Sequence, residues 1–468
     1  MMRLAFTPGA LAAAAMCLLA GAATAQVQNT TTKFDYDAIG NLTKVTDPLL
    51  HATTFVYDEL GRRTKATDHL NGVTAYVYDG RDQLTKVTDA RSVVTAYTID
   101  GLGELNQTTS ADTGVTSNTY DDAGNLTSST DAKLQRTTYK YDVLGRVTLV
   151  TFSDNSTVTY QYDQGSNAIG RLNKITDSSG SIDYAYDAHG RVTSESRAIA
   201  GSVYLTSYRY DANGQLSGMT YPGGRSIDYS RDALGRISQI STTLGAVTSP
   251  LLTQVSYAPF GPVHTVTFGN GRTQTRAYDL DGRIASFSLA AQTMAVGYDA
   301  ASRITAIGDA ANAATGSTYG YDDLDRLNSV VTPTAGKTYL YDKVGNRTQQ
   351  STNGAATTYG YAGANNRLTM IGVQAIATDL NGSITNKGNA TFDYDARGRM
   401  VSANTAIGVV TYTINSLGQR VRKVTPTETT VFHYDLAGKL IAETTTAGAT
   451  TTVQEYVYLG DMPVAVLK

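Results

Sequence analysis

The sequence predicts an all-β protein, a long antiparallel sheet built from about twenty β-hairpin repeats. A six-residue pattern, Tyr-Asp-x-x-Gly-(Arg/Asn), recurs along the chain, and its first copies stand 21 residues apart. Tyrosines also occur in pairs spaced by two, such as Tyr139 and Tyr141. A fixed period near 20 residues is typical of repeat architectures, and a spacing of two is the period of a β-strand. No stretch shows a helical period of useful length.

The six-residue pattern predicts a turn in each repeat. Asp at the first position of a type I turn accepts backbone N–H groups, and Gly at the fourth position suits the exit from the turn. We therefore interpret the motif residues as structural. They are Tyr36, Asp37, Gly40, Tyr57, Asp58, Gly61, Arg62, Tyr120, Asp121, Gly124, Tyr141, Asp142, Gly145, Arg146, Tyr186, Asp187, Gly190, Arg191, Tyr278, Asp279, Gly282, Arg283, Tyr341, Asp342, Gly345, Tyr394, Asp395, Gly398, Arg399, Tyr434, Asp435 and Gly438.

Each turn is followed by a second short strand. Residues 42–46 and 84–88 are rich in Thr, Val and Leu, and each run ends in another turn signal. One repeat is therefore a two-stranded hairpin with a turn at each end. A single hairpin is marginally stable in water, so we expect neighbouring hairpins to pair edge to edge. A twisted sheet of this length is expected to coil into a spiral around a hollow.

Residues 1–25 differ from the rest of the chain. Arg3 precedes an apolar stretch over 11–19, and Ala23-Thr24-Ala25 before Gln26 has the small residues of a cleavage site. This predicts a secretory signal peptide, favoured over a membrane anchor because the apolar run is short. Residues 26–33 form a polar tail, and the repeat region covers 34–468. We expect a secreted or cell-surface protein, exported through the periplasm, with no membrane span after cleavage.

Composition narrows the choice of partners. The formal net charge is −3, which favours neither a nucleic-acid partner nor electrostatic docking on a membrane. The single cysteine, Cys17, lies inside the predicted signal peptide, so we expect no disulfide. The chain has 31 Tyr but 9 Phe and no Trp. This bias suggests half-buried tyrosines with packed rings and hydroxyl groups in water.

Repeats such as Tyr141-Asp142-Val143-Leu144-Gly145-Arg146 resemble the YD repeats of RHS proteins, which are shared with teneurins and insecticidal toxin-complex subunits. The resemblance covers almost all of residues 33–468. The segment 456–466 is similar to the last repeat before an RHS core closes.

The resemblance implies a hollow β-cocoon, a solenoid-like shell. In the family such shells enclose a toxic C-terminal domain that an aspartyl autoprotease cuts free. The Asp-Pro-rich cleavage motif and a cargo domain are not found up to Lys468, so we carry over the scaffold and not the protease or the toxin. The chain is then expected to form all or part of a shell.

The sequence predicts no catalytic, cofactor or metal site, and hence no enzyme. His51, His69, His189, His264 and His433 show no metal-ligand spacing, and each is expected at the surface or in a turn. Arg or Asn after the turn glycine is expected to bridge adjacent hairpins, in preference to binding a ligand. The tyrosine rows are expected to pack between repeats, and a stacking surface for sugars is the alternative.

Two functions fit these expectations. The first is a secreted RHS-type scaffold, the shell or a truncated remnant of a polymorphic toxin, whose partner is an encapsulated effector domain. The second is a stand-alone cell-surface protein that uses the repeats for adhesion, with a surface glycan as partner.

Overall fold

A computed structural model describes residues 30–259 and 261–468. These residues form 42 β-strands joined by turns, and this described part of the chain contains no helix. No segment in it could therefore cross a bilayer as a long apolar helix. The predicted signal peptide (1–25) and residues 26–29 of the polar tail lie outside the described residues. The chain divides into two compact units, each built from two separate segments.

Unit 1 comprises the described residues up to Ala96 together with Gln274–Gly372. The unit boundary falls inside β7 (Val94–Ile99). The other strands of unit 1 are β1 (Lys33–Tyr36), β2 (Leu42–Thr46), β3 (Ala52–Tyr57), β4 (Arg63–Thr67), β5 (Val73–Tyr78), β6 (Leu84–Thr88), β24 (Ile284–Leu289), β25 (Gln292–Tyr298), β26 (Ile304–Asp309), β27 (Asn312–Tyr321), β28 (Leu327–Val331), β29 (Gly336–Tyr341), β30 (Arg347–Thr352), β31 (Ala355–Tyr361) and β32 (Leu368–Ile371), with β23 (Thr273–Tyr278) at the second boundary.

Unit 2 comprises Tyr97–Thr273 and Val373–Lys468. Its first segment contains β8 (Leu105–Ser110), β9 (Gly114–Tyr120), β10 (Leu126–Thr130), β11 (Arg136–Tyr141), β12 (Val147–Thr151), β13 (Thr157–Tyr162), β14 (Leu172–Asp177), β15 (Gly180–Tyr186), β16 (Val192–Ile199), β17 (Ser202–Tyr210), β18 (Leu216–Thr220), β19 (Ser226–Arg231), β20 (Ile237–Leu244), β21 (Val247–Tyr257) and β22 (Val263–Phe268). Its second segment contains β33 (Gln374–Thr378), β34 (Ile384–Lys387), β35 (Ala390–Tyr394), β36 (Met400–Thr405), β37 (Gly408–Ile414), β38 (Arg420–Val424), β39 (Thr429–Tyr434), β40 (Leu440–Ala447), β41 (Thr450–Leu459) and β42 (Met462–Leu467).

Within each segment, a strand pairs antiparallel with the next strand along the chain. In the β3–β4 hairpin Phe55 faces Ala66, and the register shifts by one residue before Tyr57 pairs with Arg63. The same bulge recurs at the motif tyrosine of later hairpins, for example at Tyr141. A bulge at this point strengthens the local twist of the hairpin. The predicted all-β class and antiparallel hairpin pairing are confirmed.

The hydrophobic core is unevenly distributed. Unit 2 contains three buried apolar clusters, the largest around Ile227, Ile240 and Val457, which are completely buried. In the described part of unit 1, Val93 is the only buried apolar side chain. Its strands therefore depend more on hydrogen bonds and half-buried contacts than on a conventional core.

Candidate functional site

The residues of the repeat motif form a tight turn of one defined geometry. In the first regular copy, Gly61 N donates to Asp58 O and Asp58 N donates to Arg62 O, both at 3.0 Å. The Asp58 carboxylate caps the turn, because its Oδ1 accepts from Leu60 N and Arg62 N. Gly61 has a φ of 75°, and all nine motif glycines named above have φ between 72° and 92°. This is a type I turn followed by a glycine bulge, a loop that matches the strand twist.

Hydrogen bonding within the turn keeps the aspartates ionised. The backbone N–H of Arg62 holds the pKa of Asp58 below its ordinary value of 3.8, although burial opposes this effect. The same contact from Arg146 lowers the pKa of Asp142. Each turn thus presents a carboxylate whose second oxygen can pair with the arginine that ends the motif.

The motif tyrosine fastens each repeat to the preceding one. Tyr57 donates its hydroxyl to the Leu42 carbonyl oxygen, at 2.9 Å. We call this bond the tyrosine latch. It recurs in the pairs Tyr78–Arg63, Tyr120–Leu105, Tyr141–Leu126, Tyr162–Val147, Tyr186–Leu172, Tyr210–Val192, Tyr257–Ile237, Tyr298–Ile284, Tyr321–Ile304, Tyr341–Leu327, Tyr361–Arg347, Tyr394–Ile384, Tyr434–Arg420 and Tyr458–Leu440. The expectation that these hydroxyl groups are in water is therefore wrong, because a backbone carbonyl oxygen of the preceding repeat accepts a hydrogen bond from each of them.

The motif arginine joins each repeat to the following one. Arg146 donates from Nε to Asp142 Oδ2 in its own turn at 2.7 Å, and from Nη2 to Asp163 Oδ2 in the next turn at 2.6 Å. Its guanidinium also lies 4.3 Å from the centre of the Tyr162 ring. This stacking recurs at 4.5 to 5.0 Å in the pairs Arg62–Tyr78, Arg191–Tyr210, Arg236–Tyr257, Arg283–Tyr298, Arg303–Tyr321 and Arg326–Tyr341. Arginine combines ion pairing and ring stacking in a way that lysine cannot.

Two repeats carry aspartate where the motif has glycine. Asp82 and Asp325 adopt φ of 65° and 62°, in the left-handed region that glycine favours and that aspartate enters more readily than most other residues. Each carboxylate accepts a hydrogen bond from the arginine of the preceding repeat, Arg62 at 2.9 Å and Arg303 at 2.6 Å. The ion pair adds to the tolerance that aspartate already has for this backbone conformation.

Contacts distant in sequence close unit 1. Arg91 donates to the carbonyl oxygens of Ala362 and Asn365 and to Asn366 Oδ1, at 2.7 to 3.0 Å. Its Nε lies 3.4 Å from Asp342 Oδ2, the carboxylate of a motif turn. One arginine therefore connects the two segments of the unit.

In unit 2 the corresponding contacts are buried. Arg225 donates to Glu455, which is 4% exposed, and Tyr221 donates its hydroxyl to the Tyr456 carbonyl oxygen at 2.8 Å. Nearby, Arg197 pairs with the buried Glu195 and reaches Gln419 Oε1 at 2.7 Å. Burial raises the pKa of Glu195, and Arg197 opposes that rise. Buried ion pairs of this kind are costly to break singly. The Arg225–Glu455 and Arg197–Gln419 contacts link the two segments of unit 2.

One motif turn in unit 2 borders a cavity. Asp435 Oδ1 accepts from Ala437 N and Lys439 N, but Lys439 directs its ammonium to the Gly460 carbonyl oxygen, at 2.7 Å. The cavity beside this turn measures about 170 Å³ and is lined by Tyr221, Tyr229, Arg231, Asp435, Lys439 and Tyr458. It is smaller than pockets that bind drug-sized ligands. We interpret it as a packing gap left where lysine replaces arginine.

The five histidines occupy different environments. His189 and His264 are exposed, as expected, and His51 and His69 lie in turns. The expectation for His433 is wrong, because it is 2% exposed. Its ring lies 4.5 Å from the Tyr204 ring and its Nε2 lies 3.2 Å from Thr444 Oγ1. Burial, with a smaller contribution from Arg197, lowers the pKa of His433 to about 4. The sequence of β39 does not indicate that this strand is buried on both of its faces.

The assembled groups act by joining repeats: hydroxyl to carbonyl, guanidinium to carboxylate, and guanidinium to ring. Comparison with protein families identifies the repeats. The family model for the teneurin YD-shell matches residues 22–164, 104–194 and 290–423, together more than half of the chain. The family model for the RHS repeat matches residues 186–226 and 210–247. Among curated proteins no sequence matches this chain.

Several solved structures have the same fold. The Tc holotoxin pore of Photorhabdus luminescens matches with a TM-score of 0.67 at 16% identity, over 92% of this chain and 29% of the other. The TcdB2-TccC3 structure has the same TM-score and identity, over 92% and 30% of the two chains. TcdB2-TccC3 without its hypervariable C-terminal region gives 0.67 at 17% identity. The chain thus spans about 30% of the length of these relatives. The fold class predicted from the repeats is confirmed.

Proposed function

We propose that this chain, which belongs to the teneurin YD-shell family, is a secreted structural scaffold. It would be the shell part of a toxin, or a truncated remnant of one, that encloses a C-terminal effector polypeptide. The observation that carries the proposal is the fold match to TcdB2-TccC3, with a TM-score of 0.67 over 92% of the chain. At 16% identity this match shows the fold alone. That the chain encloses a partner is proposed here.

The geometry of the repeats supports a structural role. Motif residues are committed to contacts between repeats, through the tyrosine latch and the arginine stack. A shell needs every edge to be paired, because an unpaired strand edge recruits other chains. The motif aspartates, which an enzyme could use as acids, are engaged in turn capping. We therefore propose that the chain is not an enzyme.

Among the residues that the structure describes, no specific contact favours the adhesive alternative. A sugar that stacks on a tyrosine needs an open ring face. In the regular repeats one face of the ring carries an arginine, and the hydroxyl is bonded to a carbonyl, as at Tyr162. We therefore prefer the enclosing scaffold to the glycan-binding surface.

We also propose that the chain is exported, with residues 1–25 removed as a signal peptide, residues 26–33 as a polar tail and residues 34–468 as the repeat region. Amino-terminal sequencing of the mature protein from the culture medium or cell surface should begin at Gln26. Ala25→Leu should block processing and retain the precursor in the membrane fraction, since the cleavage site requires a small residue. Efficient export of a chain that starts at Met1 would contradict the assignment.

Enclosure can be tested by protease protection. A Gly/Ser-rich passenger with one site for a sequence-specific protease is fused after Lys468, and the same passenger is placed at Gln26 as a control. The C-terminal passenger should survive a protease dose that cuts the N-terminal one. Protection should disappear in urea. Equal cleavage of both passengers in the folded protein would overturn the enclosing function.

A further inference from the structure

Three turns of unit 1 bring imidazole and carboxylate groups together. The turn between β2 and β3 carries Asp47 and His51, and the turn between β4 and β5 carries His69, whose ring centre lies 4.7 Å from that of His51. The turn between β27 and β28 carries Asp323 and Asp325. His51 Nε2 lies 3.7 Å from Asp323 Oδ1. One ligand atom each from Asp47, His51 and Asp325 lie within 4.8 Å of one another.

Two carboxylates of this group, those of Asp47 and Asp325, are each held by one oxygen. Asp47 Oδ1 accepts from Leu49 N and His51 N, at 2.9 and 2.7 Å. Asp325 Oδ1 accepts from Arg303 Nη1 at 2.6 Å. In both cases Oδ2 remains for another partner, and Asp47 Oδ2 lies 3.3 Å from His51 Nδ1. Outer contacts that hold one oxygen in this way orient metal ligands in proteins.

His51 supplies an independent observation. The side chain is 18% exposed, and its Nδ1 is buried without a hydrogen bond among the described residues, despite the nearby Asp47 carboxylate. A buried ring nitrogen that makes no hydrogen bond is destabilising. The turn itself needs only Asp47 Oδ1 and backbone groups, so it does not account for the imidazole. A metal ion would satisfy the ring nitrogen and the two carboxylate oxygens together.

We propose that Asp47, His51 and Asp325 form a Zn²⁺ site that joins the two segments of unit 1. An imidazole with carboxylates suits zinc, whereas calcium and magnesium prefer oxygen ligands alone. Asp323, His69 or water would complete a four-coordinate shell. The ion would link turns that are distant in sequence, in a unit where Val93 is the only buried apolar side chain of the described part. This site does not depend on the proposed enclosing function.

Arg303 sets a limit on the affinity of this site. Its guanidinium pairs with Asp299 as well as with Asp325, so part of its charge is already neutralised. The remaining positive charge opposes a cation at Asp325, while the hydrogen bond fixes the position of the carboxylate. We therefore expect Asp325 to contribute less to Zn²⁺ affinity than His51 does.

The test uses the full mature chain, freed of metal with a chelator and titrated with Zn²⁺ alone by calorimetry. We expect one Zn²⁺ per chain, a raised melting temperature with Zn²⁺, and no equivalent response to Ca²⁺. His51→Ala should weaken Zn²⁺ binding by more than the roughly 10–100-fold expected for losing an outer contact. Asp325→Asn should weaken it to a smaller degree. His264→Ala, an exposed histidine outside the cluster, is the matched control and should bind as the wild type does.

Circular dichroism of each variant separates a lost site from a lost fold. A folded His51→Ala chain that binds Zn²⁺ with wild-type affinity would overturn the proposal. Failure of the wild-type chain to bind Zn²⁺, or equal affinity for Ca²⁺, would do the same. Each outcome is independent of whether a passenger is enclosed.

Discussion

Arg231 donates from Nη2 to the carbonyl oxygen of Leu216 at 2.8 Å, the bond that a tyrosine hydroxyl makes in the regular repeats. Its Nη1 also donates to the Gly235 carbonyl oxygen of the same turn, at 3.0 Å. The motif copy at residues 231–236 has arginine in place of tyrosine, and this arginine donates the equivalent hydrogen bond to the preceding repeat. The chain therefore maintains the bond between repeats and not the identity of the residue that makes it.

Removing one tyrosine latch should destabilise the protein measurably. Tyr141→Phe leaves the Leu126 carbonyl without its 2.8 Å partner, and a lost hydrogen bond of this kind costs about 1 kcal/mol. Tyr139→Phe is the matched control, because that hydroxyl makes no hydrogen bond with the described residues. Urea denaturation of both variants measures the difference. Equal midpoints would contradict a stabilising role for the latch.

Aspartate at the glycine position of a turn should be well tolerated only where the motif turn of the preceding repeat ends in arginine. Gly345 has a φ of 91° with open space around it, and Arg326 precedes it by one repeat. Gly345→Val should cost about 1–3 kcal/mol through backbone strain. Gly345→Asp should recover most of this, because Arg326 can pair with the new carboxylate as Arg303 does with Asp325.

The control for this prediction is Gly398→Asp. Gly398 has a φ of 72° and open space, but the preceding motif turn ends in Ser383 instead of arginine. This variant should lose more stability than Gly345→Asp in thermal melting. The opposite order would show that the ion pair does not compensate the strain.

The buried pair in unit 2 should behave as a coupled unit. Replacing Arg225 or Glu455 alone with Met should cost about 3–5 kcal/mol, because an uncompensated charge stays buried. The double replacement should cost less than the sum of the single ones. The control is the exposed pair of Arg209 and Asp228, whose side chains are 45% and 47% exposed. Replacing either partner of this pair should lower the free energy of unfolding by less than about 1 kcal/mol. A double-mutant cycle by denaturant titration checks both values, and additivity at Arg225 and Glu455 would refute the coupling.

His433 should make the protein less stable in mild acid. Its pKa falls from an ordinary 6.5 to about 4 in the folded chain, so the unfolded chain binds the proton first. The contribution of neutral His433 to the free energy of unfolding is fully present above pH 6.5. It is lost as the pH falls toward 4, by on the order of 3 kcal/mol. His433→Gln should flatten the unfolding free energy over this range, whereas the exposed His189→Gln should not. A His433→Gln curve with the wild-type slope would contradict the assignment.

The local geometry of the repeat follows directly from its residues. Asp58 and Gly61 specify the turn through side-chain capping and a positive φ, and Tyr57 two residues after Phe55 specifies a strand. These contacts join residues only a few positions apart in the sequence, so they form whatever the tertiary structure around them. Bridging by the motif arginine was also predictable, because its planar donors suit carboxylates and carbonyls.

Contacts that depend on how repeats align were not predictable. Tyr57 meets the Leu42 carbonyl only because the stagger of adjacent hairpins brings them together, and no residue type marks an acceptor on the backbone. The burial of His433 and the pairing of Arg225 with Glu455 depend on which distant strands face each other. The repeat pattern is nearly the same at every position, so it carries no information about that choice.

Electron cryomicroscopy of the mature chain, extended after Lys468 by an effector-sized polypeptide, tests the central claim most directly. We expect density for the added polypeptide enclosed by the β-strands of the repeats. Density that projects into solvent, from a chain whose repeats are intact, would contradict the proposal that this protein is an enclosing shell.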